Sequence, residues 1–168
     1  MKKLITTLLL LFSTLTFAEE NNGDTNAYFK YGLGVFNSAK NSKVEVKMVS
    51  FGHQDPFFGY MIRQWEVGGW MDSRSDLGRK SSGFANGSIG VNIDVSRFYA
   101  QSLWGLGVVT TKDSMLGGNF QFNQDLGIGL KDARGMAIGL NYKHISSAGI
   151  FKPNQGRDFM SIKLSIPW

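Results

Sequence analysis

The chain has 168 residues, of which 18 are Lys or Arg and 13 are Asp or Glu, giving a formal net charge of +5. This mild basic excess does not predict a nucleic-acid partner, because such binding uses a strongly basic face. Cysteine is absent, which excludes disulfides, and the 21 glycines favour sheet over helix because glycine weakens helices.

The first 18 residues have the organisation of a secretory signal peptide. Lys2 and Lys3 precede an apolar run from Leu4 to Phe17, and Ala18 stands before two glutamates. The run is shorter than the ~20 apolar residues of a spanning helix. We therefore predict a signal peptide over residues 1–18 and an outer-membrane barrel domain over residues 19–168, with a retained N-terminal anchor as the alternative.

Period-two alternation of apolar and polar residues recurs along the rest of the chain and predicts strands. The predicted strands cover residues 27–36, 43–48, 64–71, 89–95, 98–108, 120–130, 136–146 and 158–168. Most approach the ~9–11 residues with which a tilted strand crosses a bilayer. The polar set is mainly Gly, Asn, Gln and Ser, which suits the packed interior of a small barrel. The predicted fold is all-β, an eight-stranded antiparallel transmembrane β-barrel.

The connections alternate between short and long, as in barrels of the bacterial outer membrane. Short turns are predicted at Gln54–Pro56, Asp94–Arg97 and Asp132–Gly135, and longer loops at Asn37–Ser42, Asp72–Gly83, Thr111–Gly117 and Ser147–Arg157. An even strand number puts both termini on the periplasmic side. The four tryptophans, Trp65, Trp70, Trp104 and Trp168, are interpreted as residues of the interfacial aromatic girdle.

Three residues that can carry chemistry fall in the set predicted to face lipid. The apolar parity of the seventh strand continues to His144 and Ser146, and that of the eighth reaches back to Asp158. A register that pairs His144 with Asp158 also pairs Leu140 with Ile162, and directly opposed residues have Cβ atoms about 4.5–5.5 Å apart. The three side chains are therefore predicted to lie close together on the outer wall.

Serine, histidine and aspartate in this arrangement are the components of a nucleophilic triad. A serine hydroxyl needs a base, histidine supplies one, and a carboxylate on the other ring nitrogen fixes the tautomer. On the outer wall, the triad would present its nucleophile to an acyl chain in the membrane. The alternative interpretation is that His144 and Ser146 are headgroup-region residues, which cost only ~0–1 kcal/mol there.

The run from residue 144 to residue 158 resembles the lipid A 3-O-deacylase (PagL-type) family. The family pattern is H-x-S-N-A-G, then a P-N-x-G turn, then an acid on the last strand. The positions that match are His144, Ser146, Ala148, Gly149, Pro153, Asn154, Gly156 and the acid Asp158. The stretch 116–131 also resembles the family, whereas the N-terminal part is similar only in pattern and size.

The resemblance implies an outer-membrane barrel that hydrolyses the 3-O acyl ester of lipid A at the outer leaflet. It implies Ser146 as the nucleophile, His144 as the base and Asp158 as the orienting acid, with the Gly149 N–H in the oxyanion hole. The chain departs from the pattern twice. Its acid is aspartate where the family has glutamate, and Ser147 stands where the family has the asparagine that follows the nucleophile, a possible oxyanion residue.

Two other functions share these sequence features. One is a non-enzymatic small barrel, an adhesin or structural protein, and the other is a lipid acyltransferase that passes the acyl group to a second lipid. No group of residues has metal-ligand spacing, and no cofactor is expected. The expected partners are lipid A or lipopolysaccharide and the outer membrane, with no nucleic acid. The oligomeric state is open, and a homodimer is one option.

Overall fold

The computed structural model describes residues 25–35, 46–72 and 78–168 and is a closed antiparallel barrel in which every strand pairs with its chain neighbours. Its strands are β1 (Asn26–Val35), β2 (Lys47–Phe58), β3 (Met61–Met71), β4 (Ser82–Val95), β5 (Phe98–Val109), β6 (Phe120–Lys131), β7 (Ala137–Ser146) and β8 (Arg157–Pro167). The barrel closes through the pairing of β1 with β8. The predicted fold class is thus confirmed, while the predicted signal peptide and the loop at 37–42 lie outside the described residues.

One predicted turn is wrong. Residues Gln54–Pro56 lie within β2, which continues to Phe58 before a turn at Gly59 and Tyr60. The pairing with β3 shifts register between Pro56 and Phe58. A bulge of this kind accommodates a proline inside a strand, because the missing N–H is not needed in the ladder there.

Alternate side chains form an apolar outer wall and a packed interior. Residues such as Leu140 and Ile162 are about half exposed on the outer wall, at 48% and 54%. Inside, Lys30 and Lys143 are fully buried with Glu66 and Asp125. Glu66 Oε2 lies 3.3 Å from Lys30 Nζ and 3.1 Å from Lys143 Nζ, and Asp125 contacts both lysines. Each of these buried charges is therefore paired, which its desolvation requires.

The interior changes from polar to apolar toward the end where the long loops lie. Met48 and Trp70 are almost completely buried there in a cluster that also contains Val46, Phe84, Val109, Met115, Leu116, Ile145 and Phe159. The prediction that the apolar residues of the second strand face outward is therefore wrong. Val46 and Met48 point inward, and Lys47 is exposed. Trp70 is likewise a core residue that stacks on Phe84 at 5.9 Å, so its assignment to the girdle is wrong.

The two ends of the barrel differ in their connections. Short turns join β2 to β3, β4 to β5 and β6 to β7, and the other end carries the connections 72–81, 110–119 and 147–156. Asn26 pairs with Pro167, so both ends of the described barrel lie at the short-turn end. The long-loop end is where β7 ends and β8 begins, and these two strand ends hold the candidate site. Among the described residues, no helix is long and apolar enough to span a membrane.

Candidate active site

The predicted register between β7 and β8 is confirmed. His144 is the Cα partner of Asp158, and Leu140 is the partner of Ile162. His144 Nδ1 lies 2.7 Å from Asp158 Oδ1, within hydrogen-bond distance. The side chains are 33% and 13% exposed, so the pair lies at the surface of the barrel wall with the carboxylate largely covered. This contact assigns the proton to Nδ1 and leaves Nε2 as the ring's acceptor.

The pairing of β6, β7 and β8 arranges the outer wall in rows. Gln124, His144 and Asp158 form one row, since Gln124 pairs with His144 on its other side. The next row toward the long loops contains Ser146, which pairs with Phe122. Successive rows on one face are about 6.6 Å apart along a strand. The three predicted catalytic residues therefore occupy adjacent positions on one outward face.

Ser146 shares the face of His144 but is not bonded to it. Among the described residues, the Ser146 hydroxyl forms no hydrogen bond, and its backbone lies at the last position of β7. Hydrogen bonds between a nucleophile and its base often tighten only when substrate binds. The structure thus brings the histidine and the acid into contact and leaves the serine beside them.

The acid has a second partner that the sequence analysis did not identify. Tyr142 Oη donates a hydrogen bond of 2.5 Å to Asp158 Oδ1, the same oxygen that faces His144. Tyr142 lies one row farther from the long loops than His144, between Leu126 and Met160. Its aromatic ring fits the apolar alternation of β7, and no sequence signal points to its hydroxyl.

Ser147 organises the loop after Ser146 and does not face the site. Its side chain is fully buried, and its hydroxyl lies 2.9 Å from Asn154 Oδ1 and 3.1 Å from the Phe151 carbonyl oxygen. Its backbone N–H also donates to Asn154 Oδ1, at 2.8 Å. Because these groups are engaged inside the loop, the structure gives Ser147 a role in holding the turn, and its oxyanion role stays a prediction.

The turn that Ser147 begins has an unusual backbone. Ala148 and Gly149 both have positive φ, at 51° and 84°, and the Ile150 N–H closes the turn on the Ser147 carbonyl. Within the described part of the chain, the N–H groups of Ala148 and Gly149 donate no hydrogen bond. Successive free N–H groups in a turn form a concave site for an anion. The predicted position of Gly149 beside the nucleophile is therefore compatible with an oxyanion role.

Gly156 lies beside the His144 ring, near Cε1 and Nε2. It has a φ of +75°, and a Cβ at this position would lie 2.7 Å from His144 Cε1 and 3.4 Å from Nε2. Any side chain here would both strain the backbone and push the imidazole. The glycine of the P-N-x-G turn thus leaves room for the His144 ring.

The loop that carries the site is fastened to its neighbour and to the interior. The Gly117 N–H donates to the Pro153 carbonyl at 2.7 Å, and the Gln155 N–H donates to the Met115 carbonyl at 3.0 Å. Arg157, next to Asp158, points inward and donates to Asp72 at 2.9 Å and also to Asp113. These contacts fix the start of β8 and hence the backbone position of Asp158.

Comparisons with known proteins agree with this geometry. A model of the family described as lipid A 3-O-deacylase (PagL) matches residues 43–167. The chain is 36% identical over 69 residues to lipid A deacylase PagL of Bordetella bronchiseptica, covering 39% of each chain. It is 38% identical over 55 residues to lipid A deacylase PagL of Pseudomonas aeruginosa, covering 33% of this chain and 32% of the relative. The alignments therefore span about a third to two fifths of these relatives.

A solved structure gives the same fold. The crystal structure of the outer membrane enzyme PagL aligns with a TM-score of 0.60 and 17% identity, covering 85% of this chain and 99% of that chain. This likeness shows that the two chains share a barrel fold. Since the family match covers most of the chain and includes the strands and loop that carry His144, Ser146 and Asp158, the chain belongs to the lipid A 3-O-deacylase (PagL) family.

Proposed function

We propose that this protein is a serine-type ester hydrolase that removes the 3-O acyl chain of lipid A at the outer leaflet. Ser146 is the nucleophile, His144 the general base and Asp158 the acid that orients the base. The observation that carries the proposal is the 2.7 Å contact between His144 Nδ1 and Asp158 Oδ1 on the lipid-facing wall, next to an outward serine. Family membership supplies the substrate class.

The reaction follows from the positions of these groups. His144 Nε2 accepts the Ser146 hydroxyl proton while Oγ attacks the ester carbonyl carbon. The tetrahedral intermediate collapses when His144 returns the proton to the departing sugar oxygen, leaving the acyl group on Ser146. Water, deprotonated by His144, then attacks the acyl carbon, and His144 returns the proton to Ser146 Oγ as the fatty acid leaves. Asp158 stabilises the imidazolium that forms in both steps.

The negative charge on the carbonyl oxygen needs donors near Ser146. The N–H groups of Ala148 and Gly149 are available in the turn directly after the nucleophile. Donors aimed at a developing oxyanion contribute about 10²–10³ in rate each. We therefore assign the oxyanion hole to this turn, with the Gly149 N–H as its main donor.

The position on the wall suits a substrate that stays in the membrane. Below the row of His144, the outward residues of β6, β7 and β8 are almost all apolar, and Ile128, Leu140 and Ile162 line a shallow cleft. An acyl chain can lie along this wall while its ester stands at the height of Ser146. The ester bond reaches the nucleophile without leaving the interface.

Mass spectrometry of lipid A incubated with the refolded protein tests the proposal. The native protein should release one hydroxyacyl chain, and Ser146→Ala should release none. Ser102→Ala is a matched control, because Ser102 has the outward parity of β5 and only accepts a hydrogen bond from Trp104. Release by the native protein and Ser102→Ala alone supports Ser146 as the nucleophile.

The competing functions give different products in the same assay. An acyltransferase would move the acyl group onto a second lipid and yield no free fatty acid. A structural barrel or adhesin would leave lipid A intact although the protein is correctly folded, and that result would overturn the enzymatic proposal. The homodimer stays a prediction. Sedimentation of the same detergent-solubilised preparations measures the oligomeric state.

A further inference from the structure

The acid of the candidate triad is held from two sides by donors that meet on one oxygen. Asp158 Oδ1 accepts from Tyr142 Oη at 2.5 Å and faces His144 Nδ1 at 2.7 Å. Tyr142 and His144 are two residues apart on β7, so both donors come from the same strand. The carboxylate thus bridges two side chains of β7 from its own position on β8.

We propose that Tyr142 is a positioning residue of the active site, which holds the Asp158 carboxylate against His144 Nδ1. This inference rests on the proposed function and adds to it a residue that acts through the acid. Tyr142 does not touch the reacting atoms. Its hydroxyl fixes the direction in which the carboxylate presents Oδ1 to the imidazole.

The location of the acid explains why it needs this second donor. Asp158 lies on the outward face, and its side chain is 13% exposed. A carboxylate in this position can rotate about its two side-chain torsions, which would move Oδ1 away from the imidazole. Hydrogen bonds to an ionised acceptor are about twice as strong as neutral ones. The phenol therefore selects the orientation in which Oδ1 also meets the histidine.

The packing of Tyr142 keeps the phenol available for this role. Leu126 and Met160 are its direct cross-strand neighbours and lie on either side of it. Directly opposed side chains are in contact across paired strands. Flanked in this way, the ring has little freedom except along the strand, in the direction of Asp158.

An interfacial girdle tyrosine is the other interpretation. Tyrosine is enriched at the membrane interface, where its hydroxyl meets headgroups and water. In that case removal of the hydroxyl would have no effect on His144. The short hydrogen bond to the triad acid favours the positioning role.

Tyr142→Phe removes the hydroxyl and keeps the ring, and Tyr31→Phe is the matched control. Tyr31 is also lipid-facing, at 44% exposure, and it pairs with Ile162, two rows from the Asp158 row. A hydrogen bond to a charged group contributes about 1.5–3 kcal/mol, which corresponds to roughly 10- to 150-fold in rate. We expect kcat on lipid A to fall within this range for Tyr142→Phe, with KM unchanged and with Tyr31→Phe equal to the native protein.

Two further measurements separate positioning from general structure. In histidine-labelled protein, the Nδ1–H proton signal of His144 should shift or broaden in Tyr142→Phe and stay in place in Tyr31→Phe. In an Asp158→Asn background, Tyr142→Phe should cause little additional loss, because residues that act through one group are not additive. An unchanged kcat with an unchanged His144 signal overturns the inference, and so does a full additional loss in the Asp158→Asn background.

Failure of the proposed function gives a different pattern. If the native protein and Ser146→Ala are equally inactive, the hydrolase proposal fails and the positioning role of Tyr142 fails with it. If the native protein is active and Tyr142→Phe matches it in both kcat and the NMR signal, the hydrolase proposal stands and the positioning role is refuted.

Discussion

Gly156→Ala tests whether the glycine of the turn makes room for the catalytic base. The new methyl group would stand 2.7 Å from His144 Cε1, whereas ordinary contacts begin at 3.4 Å. The ring must therefore retreat by about 0.7 Å, or the turn must move by that amount. A misplacement of about 1 Å can reduce a rate on the order of 10²-fold. We expect kcat to fall on the order of 10- to 100-fold.

The same substitution also strains the backbone, and a control variant separates this strain from the displacement of His144. Gly156 has a φ of +75°, and an L residue in this region costs about 1–2 kcal/mol. Gly59→Ala meets the same backbone cost at a φ of +53°, in a short turn at the opposite end of the barrel, where a Cβ has no neighbour within 4 Å. Both variants should lose the free energy of unfolding that the backbone strain costs, Gly156→Ala should lose more because of its contact with His144, and Gly59→Ala should keep full activity.

The assay compares deacylation rates and denaturant midpoints of both variants in the same detergent. Loss of activity in Gly156→Ala alone, while the midpoints show both variants folded under the assay conditions, supports displacement of His144. The reasoning is refuted if Gly156→Ala retains the kcat of Gly59→Ala, because the ring would then tolerate the displacement or would not be the base.

Two other substitutions probe the interior and the loop. Glu66→Gln removes a carboxylate that two buried lysines contact, so the free energy of unfolding in guanidinium should fall by about 3–5 kcal/mol. Asp94→Asn, in the part-exposed pair with Lys131, should lower it by less than about 1 kcal/mol. Equal losses would contradict the role of burial. Ser147→Ala removes the hydroxyl bonded within the loop and should destabilise the turn by about 0.5–1.5 kcal/mol, seen as faster exchange of the Ile150 amide.

The site was predictable from the sequence because alternation fixes which residues share a face. On β7 and β8 the apolar alternation is unbroken from the short-turn end to the site. The register that pairs Leu140 with Ile162 therefore also pairs His144 with Asp158. A shift of one residue would turn the whole apolar set into the interior. Alternation therefore excludes the registers shifted by one residue, and among those that keep the polar set inside, the structure has the one that pairs Leu140 with Ile162.

The errors arose where alternation alone does not say which face is which. At the start of β2, the apolar residues Val46 and Met48 have the parity predicted to face lipid, but the interior is itself apolar beneath the long loops. Trp70 has the inward parity of Gln64 and Glu66, and only its residue type suggests the girdle. Tyr142 and Gly156 were overlooked as functional residues because their roles depend on contacts between strands and loop, which one-dimensional periodicity does not contain.

The fold by itself does not separate the three functions considered, since small outer-membrane barrels serve unrelated purposes. What separates them is the cost of the outward polar residues. A barrel that only anchors itself gains nothing from a histidine and an aspartate on its lipid face, bonded to each other and to a phenol. Nor does it need a glycine that leaves room beside the imidazole ring. The same holds for a loop whose inward hydrogen bonds leave two backbone N–H groups without an acceptor beside an outward serine. Each feature has a chemical use in ester hydrolysis, and together they occupy one short segment, residues 142–158. The catalytic interpretation therefore depends on that segment and the strands that hold it, and on no other part of the barrel.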